Sequence, residues 1–151
     1  MMPRRFNPHT FSFMHSFRRL SVWRKAHELV LRVYESTAPV SERRYPGLTS
    51  KLRRAATCVA ANIAAGAGCD TQVQFARLLG LSLASARELD YHVLLAADLK
   101  AIEPSEHVRL TARIDEVCRM LTGLRKTITK PQGVSGHVRA KRGPLLRTPR
   151  G

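Results

Sequence analysis

Cysteine is scarce in this 151-residue chain and poorly spaced: Cys58, Cys69 and Cys118 are an odd number and form no CxxC pair. That spacing suggests neither a disulfide framework nor a thiolate zinc site, and the three read as incidental or buried thiols of a reducing compartment. Long apolar runs are also missing. No stretch approaches the ~20 residues that a membrane-spanning helix requires. The N-terminus carries Arg4 and Arg5 but no uninterrupted apolar segment and no cleavage site of a secretion signal. The cytoplasm is therefore the expected location. Acid is the third shortage. Eleven Asp and Glu stand against 26 Lys and Arg, a net charge of +15, and all eleven lie between Glu28 and Glu116. An excess of this size predicts attraction to phosphate backbones, anionic membranes or an acidic protein.

The charge is unevenly placed. Residues 17–130 carry 19 basic and 11 acidic side chains, the first 16 residues carry two Arg, and the last 21 carry five basic residues and no acid. Hydrophobic residues make up 44% of the chain, enough for one sizeable core at this length and too little chain for two ordinary domains. Three segments are expected: a flexible extension over 1–16, with Met14 a second candidate start, a folded domain over 17–130, and a disordered basic tail over 131–151, where Pro131, Gly133, Gly136, Gly143, Pro144 and Pro149 break any period.

Within the domain, apolar residues recur at steps of three and four and predict four helices. Leu20, Trp23, Ala26/His27, Val30, Val33/Tyr34 and Thr37 mark the first, which Pro39 and the Pro46-Gly47 pair bring to an end. Leu48, Leu52, Ala55, Val59, Ile63 and Gly66 form the stripe of the second, whose many alanines permit close approach of its neighbours. The third opens at an Asp70 or Thr71 cap and runs to about Lys100, with Phe75, Leu78/Leu79, Ser82, Ala86, Leu89, Val93 and Ala96/Ala97 facing inward. A second apolar set on it, Leu81, Leu95 and Leu99, points elsewhere and predicts contact with another subunit, hence a homo-oligomer; a central helix within a compact monomer is the alternative. Pro104 opens the fourth, which continues through Val108, Thr111, Ile114, Val117/Cys118, Leu121, Leu124 and Ile128. Short connections between amphipathic helices favour antiparallel neighbours. The expected fold is all-α, an antiparallel up-and-down four-helix bundle.

Catalytic chemistry finds little support. Gly66-Ala67-Gly68 follows a helix and lacks the third glycine of a dinucleotide loop, so helix termination explains it. The six histidines include no HExxH and no pair four apart, so neither metal nor other cofactor is expected. Glu88 and His92 lie one helical turn apart and can pair on the surface. Asn62, at the edge of the second stripe, reads as an amide satisfying nearby backbone.

The basic side chains carry the functional signal. Arg43 and Arg44 fall in the loop after the first helix, and Lys51, Arg53 and Arg54 begin the second, so all five are expected at one end of the bundle, with Arg18 and Arg19 assisting. Such a patch binds phosphates through counterion release, with strong salt dependence and weak sequence preference. A merely solvated basic face fits the same residues. No aromatic RNA-binding motif or helix-turn-helix signal points to sequence-specific recognition.

The run Phe17-Arg18-Arg19-Leu20-Ser21-Val22-Trp23-Arg24-Lys25-Ala26-His27-Glu28-Leu29 resembles the opening signature of the four-helix-bundle family related to ribosomal-RNA intervening-sequence proteins. Leu52-Arg53-Arg54-Ala55-Ala56 and Ala61-Asn62-Ile63-Ala64 resemble its second helix, and Phe75, Leu78, Ser85, Glu88-Leu89, Tyr91 and Leu94-Leu95-Ala96 its third. The resemblance implies a cytoplasmic bacterial protein without catalytic residues. It extends to the accessory variability determinant of diversity-generating retroelements, which implies a basic homopentamer that binds RNA and DNA. An alternative function implied by the same likeness is a protein-interaction adaptor, docking an acidic partner such as a reverse transcriptase. The family pattern has Glu where this chain has Ala65, an aromatic where it has Ala67, and commonly Gln where it has Lys51.

Overall fold

The computed structural model describes residues 16–131, and the extension and tail expected at the two ends fall outside it apart from Ser16 and Pro131. A single 3-10 turn, Phe17–Arg19, leads into four helices: α1 (Ser21–Thr37), α2 (Leu48–Ala67), α3 (Gln72–Asp98) and α4 (Pro104–Thr129). Among the described residues there is no strand, and no helix is long and apolar enough to cross a membrane.

Each helix packs on its two neighbours in a closed ring of four, and diagonally opposite helices make no close backbone approach. The direction of each pair follows from the contacts. Arg32 and Lys25 of α1 meet Glu106 and Glu116 of α4. The α2–α3 pair joins Val59 to Ser82 and Gly66 to Phe75. Arg87 of α3 meets Asp115 of α4, and the Arg125 guanidinium lies against Gly80. In each case residue numbers fall on one helix as they rise on the other, so these helices run up and down in alternation, as expected.

Local signals explain the boundaries. Gly47 sits at φ 77° before α2, a left-handed backbone that glycine adopts without steric cost. Thr71 caps α3 by accepting a hydrogen bond from the Gln74 amide at 3.2 Å. At its other end Lys100 occupies the left-handed region at φ 58°. The Lys100 amide donates to the Ala97 carbonyl at 2.9 Å and the Ala101 amide to that of Ala96 at 2.8 Å. This pair of bonds is the Schellman closure, with lysine standing where glycine is usual.

The expected stripe of α2 is buried throughout, and Phe75, Leu79, Ser82, Ala86, Leu89, Val93 and Ala96 of α3 face the same core. Two stripes differ from expectation. On α1 the buried set is Val22, Ala26, Leu29, Val33 and Thr37, while Leu20, Trp23 and Val30 are half-buried and His27 and Tyr34 exposed. The compact aliphatic residues close the seams to α2 and α4, and the larger rings, each with a polar atom, lie at the water boundary. On α4 Val108 is 68% exposed and Leu110 is buried instead. Leu110, Ile114, Val117, Cys118, Leu121 and Ile128 keep the inward period, from which Val108 is about 200° out of phase at 100° per residue.

Candidate nucleic-acid interface

Two ends of the bundle must be distinguished before its cations can be grouped. The α1–α2 loop is tied to the α3–α4 connection by the Tyr45 hydroxyl, which donates to the Leu99 carbonyl at 3.0 Å. This end therefore holds the end of α1, the start of α2 and the start of α4. Here Arg43, Arg44, Lys51 and Arg54 are all exposed. The loop beneath them is braced by Glu42, whose carboxylate accepts from the Gly47 amide at 2.6 Å, and by Ser41, whose hydroxyl accepts from the Arg44 amide at 3.2 Å. The Arg44 guanidinium lies 5.3 Å from the Tyr45 ring. These four cations share one end of the bundle, as the loop connectivity predicts.

Arg53 is placed with them in the chain but is used differently. Its Nε donates to Thr37 Oγ1 at 2.9 Å, its Nη2 donates to the Tyr34 carbonyl at 3.4 Å, and its guanidinium lies 4.5 Å from the Tyr34 ring centre. Thr37 is itself buried and donates to the Val33 carbonyl at 2.7 Å. Arg53 thus fastens the last turn of α1 to α2, and two of its donors are already engaged there. Arg54, one residue on, stays in water.

Arg18 and Arg19 lie at the other end. They belong to the 3-10 turn that precedes α1 and packs beside α2. The 17 residues of α1 separate them from the loop, about 25 Å at 1.5 Å per residue. Arg18 sits 4.8 Å from the Phe17 ring, whose edge meets Trp23 at 4.8 Å, and Trp23 stacks on His27 at 5.0 Å with planes 8° apart. The seven basic residues are therefore two groups at opposite ends of the bundle.

A further charged cluster links residues 74 positions apart. Arg32 holds Glu106 in a fork, its Nε donating to Oε1 at 2.7 Å and its Nη2 to Oε2. The Ser36 hydroxyl donates to the same carboxylate, Arg109 approaches it at 3.7 Å, and Arg32 also reaches Glu35 at 3.2 Å. The hydrogen bonds from Arg32, followed by that from Ser36, hold the Glu106 carboxyl below its ordinary value although burial opposes them. The hydrogen bonds to Glu106 in turn raise the Arg32 guanidinium. In the chain Glu106 reads only as a favourable charge at a helix start.

Leu81 and Leu99 of the outward set on α3 are each 44% exposed, whereas Leu95 is half-buried and packs on its own core. Tyr91 and Leu94, not singled out by the pattern, are also exposed on this helix. His92 is buried; its Nε2 lies 3.4 Å from Glu88 Oε1, and its Nδ1 has no partner. Burial pushes the Cys118 thiol up. Among the described residues no three His, Cys, Asp or Glu side chains group as metal ligands would.

Comparison with known proteins places this arrangement. The family model described as 23S rRNA-intervening sequence protein matches residues 18–123. The chain belongs to this family. The match spans α1 to α3 and most of α4, so both basic ends lie within the family domain. A crystal structure of a protein of unknown function from the S23 ribosomal protein family of Bacteroides thetaiotaomicron VPI-5482 has the same fold. It shares 21% identity at a TM-score of 0.65, with 70% of this chain and 98% of that chain covered. Among curated proteins none matches. The intervening-sequence family name ties the chain loosely to ribosomal RNA and carries no residue-level assignment.

Proposed function

We propose that this intervening-sequence family protein is a non-enzymatic, oligomeric basic scaffold that binds the backbone of nucleic acid, RNA in the first place, with weak sequence preference. The observation that carries the reading is the exposed cluster of Arg43, Arg44, Lys51 and Arg54 at one end of the bundle, none paired with an acid among the described residues. Residues 17–130 keep an excess of basic side chains without any help from the two ends of the chain. Assembly would multiply that charge on one particle. The exposed Leu81, Tyr91, Leu94 and Leu99 of α3 supply an apolar surface for self-association, a pentamer by resemblance. The cytoplasm is the compartment that fits an RNA partner.

The test is sedimentation of nuclease-treated protein, alone and with a short RNA, at low and high salt. The scaffold reading expects an oligomer that carries RNA at low salt and releases it at high salt. A monomer indifferent to RNA would overturn it. Substituting Arg43, Arg44, Lys51 and Arg54 by Gln together should weaken binding without loss of helical circular dichroism. Arg53 is left out because its substitution also unfastens α1 from α2.

A further inference from the structure

The outer face of α4 carries a third set of cations, separate from the two end groups and beginning at Arg109 beside Glu106. Arg109, Arg113, Arg119, Lys126 and Lys130 are all exposed, and their spacings of 4, 6, 7 and 4 residues keep them on one side of the helix. From Arg109 to Lys130 the stripe runs about 32 Å at 1.5 Å per residue. It starts at the end of the bundle that bears the α1–α2 loop and finishes at the end that bears Arg18 and Arg19.

Three observations set this face apart from an ordinary solvated one. A solvated helix commonly alternates Glu and Lys one turn apart, which stabilises it; here Arg109–Arg113 and Lys126–Lys130 are like-charge pairs one turn apart, which mildly destabilise it. Nearby acids are already answered: Glu116 by Lys25 at 3.5 Å, Asp115 by Arg87 at 3.7 Å, and Glu106 by Arg32. Arg113, Arg119, Lys126 and Lys130 make no ion pair among the described residues. On the crest between them stand Ala112 and Gly123, both exposed, with open space around Gly123, and one acid, Glu116, which Lys25 holds. A rod of negative charge can therefore approach the helix backbone closely at these two small residues.

We infer that this face of α4 is a track for the phosphate backbone of a double-helical nucleic acid, an assignment that rests on the nucleic-acid reading above and adds to it the site and the form of the ligand. The length of the stripe, about 32 Å, is on the order of one helical repeat of a duplex, ~34 Å in B-form DNA. No aromatic side chain stands on the stripe, so it offers nothing on which unpaired bases could stack, the usual second source of single-strand affinity. What it offers is positive charge spread along the length of the helix, broken once by the Lys25-paired Glu116, and such charge binds phosphates without reading bases.

The experiment measures binding of the full chain to a labelled RNA duplex of about two turns, and to one of its single strands, across a salt series. A triple variant, Arg113→Gln with Arg119→Gln and Lys126→Gln, should lose at least about tenfold in duplex affinity at low salt. Its log–log salt slope should become shallower by about 2 to 3, since each lost phosphate contact removes ~0.9. Arg113→Lys with Arg119→Lys should keep both, because backbone contact needs the charge and not the fork. Unchanged affinity and slope in the triple variant, with its helical signal intact, would overturn the α4 track; if the four-residue loop variant then abolished binding, the broader reading would stand without it. A wild-type chain that prefers the single strand would overturn the duplex assignment, and one that binds neither would overturn both proposals.

Discussion

The seam between α2 and α3 and the seam between α1 and α4 share an apolar interior and differ at their rims. The first is dry and closely fitted. Ala55, Val59, Ala60, Ile63 and Gly66 of α2 lie buried with Phe75, Leu79, Ser82 and Ala86 of α3, and a methyl group placed on Gly66 would come within 2.7 Å of the Phe75 ring. The second is rimmed by charge: Lys25 and Arg32 on one side, Glu106, Arg109 and Glu116 on the other. Small residues permit helices to touch by shape, and long charged ones hold them by reach. The difference teaches that both seams are fixed by volume inside, while the α1–α4 rim can also be adjusted by pH and salt.

The comparison breaks most sharply in the dry seam. Ile63 is fully buried, and Ile63→Ala should cost roughly 2–5 kcal/mol through lost transfer energy and a cavity. Equilibrium urea unfolding reads this as a lowered midpoint. Gly66→Ala is the subtler test. Alanine gains about 1 kcal/mol of helix propensity over glycine, yet overpacking against a buried ring costs about 1–3 kcal/mol. A net loss of about 1 kcal/mol in thermal or urea melts is expected, and a net gain would show that the seam is looser than its geometry.

Glu106→Gln probes the charged seam. It keeps the shape and removes the charge that Arg32 and Ser36 hold, with an expected loss of about 1–2 kcal/mol at neutral pH, as for a charge-assisted bond. Because the folded carboxyl titrates below its ordinary value of 4.5, its contribution is fully present above that pH and is lost as pH falls through the lower folded value. The gap between wild type and variant, measured at pH 7 and then stepwise below 4.5, should stay constant and then shrink. Molar salt should narrow the same gap and leave that of Ile63→Ala almost untouched. Ser82→Ala gives the smallest effect. The Ser82 hydroxyl donates to the Val59 carbonyl at 2.7 Å in the dry seam, and losing it should cost about 0.5–1.5 kcal/mol.

How much of this was legible beforehand depends on distance in the chain. The α2 and α3 stripes could be read because their inward residues are aliphatic and their outward ones polar, so the period has one phase. On α1 Trp23, His27 and Tyr34 count as apolar or near-apolar letters while sitting at the boundary, and the phase shifted by one residue. The Arg32–Glu106 fork was illegible, since nothing local marks a partner 74 positions away. Antiparallel connectivity already implies that Arg18 and Arg43 stand at opposite ends, and the structure makes the separation explicit. The α4 stripe is present in the spacing of its basic residues, but a reading tuned to apolar periods passes over it.

The chain has one tryptophan, and it lies where the 3-10 turn enters α1, stacked on His27. Ultraviolet emission from this protein therefore reports on a single locality, the end of the bundle remote from the α1–α2 loop, whereas circular dichroism averages all four helices. Recorded together during unfolding, the two signals form a ruler: superimposable curves mean that the bundle comes apart as one unit, and an earlier optical change means that this end frays while the rest still stands.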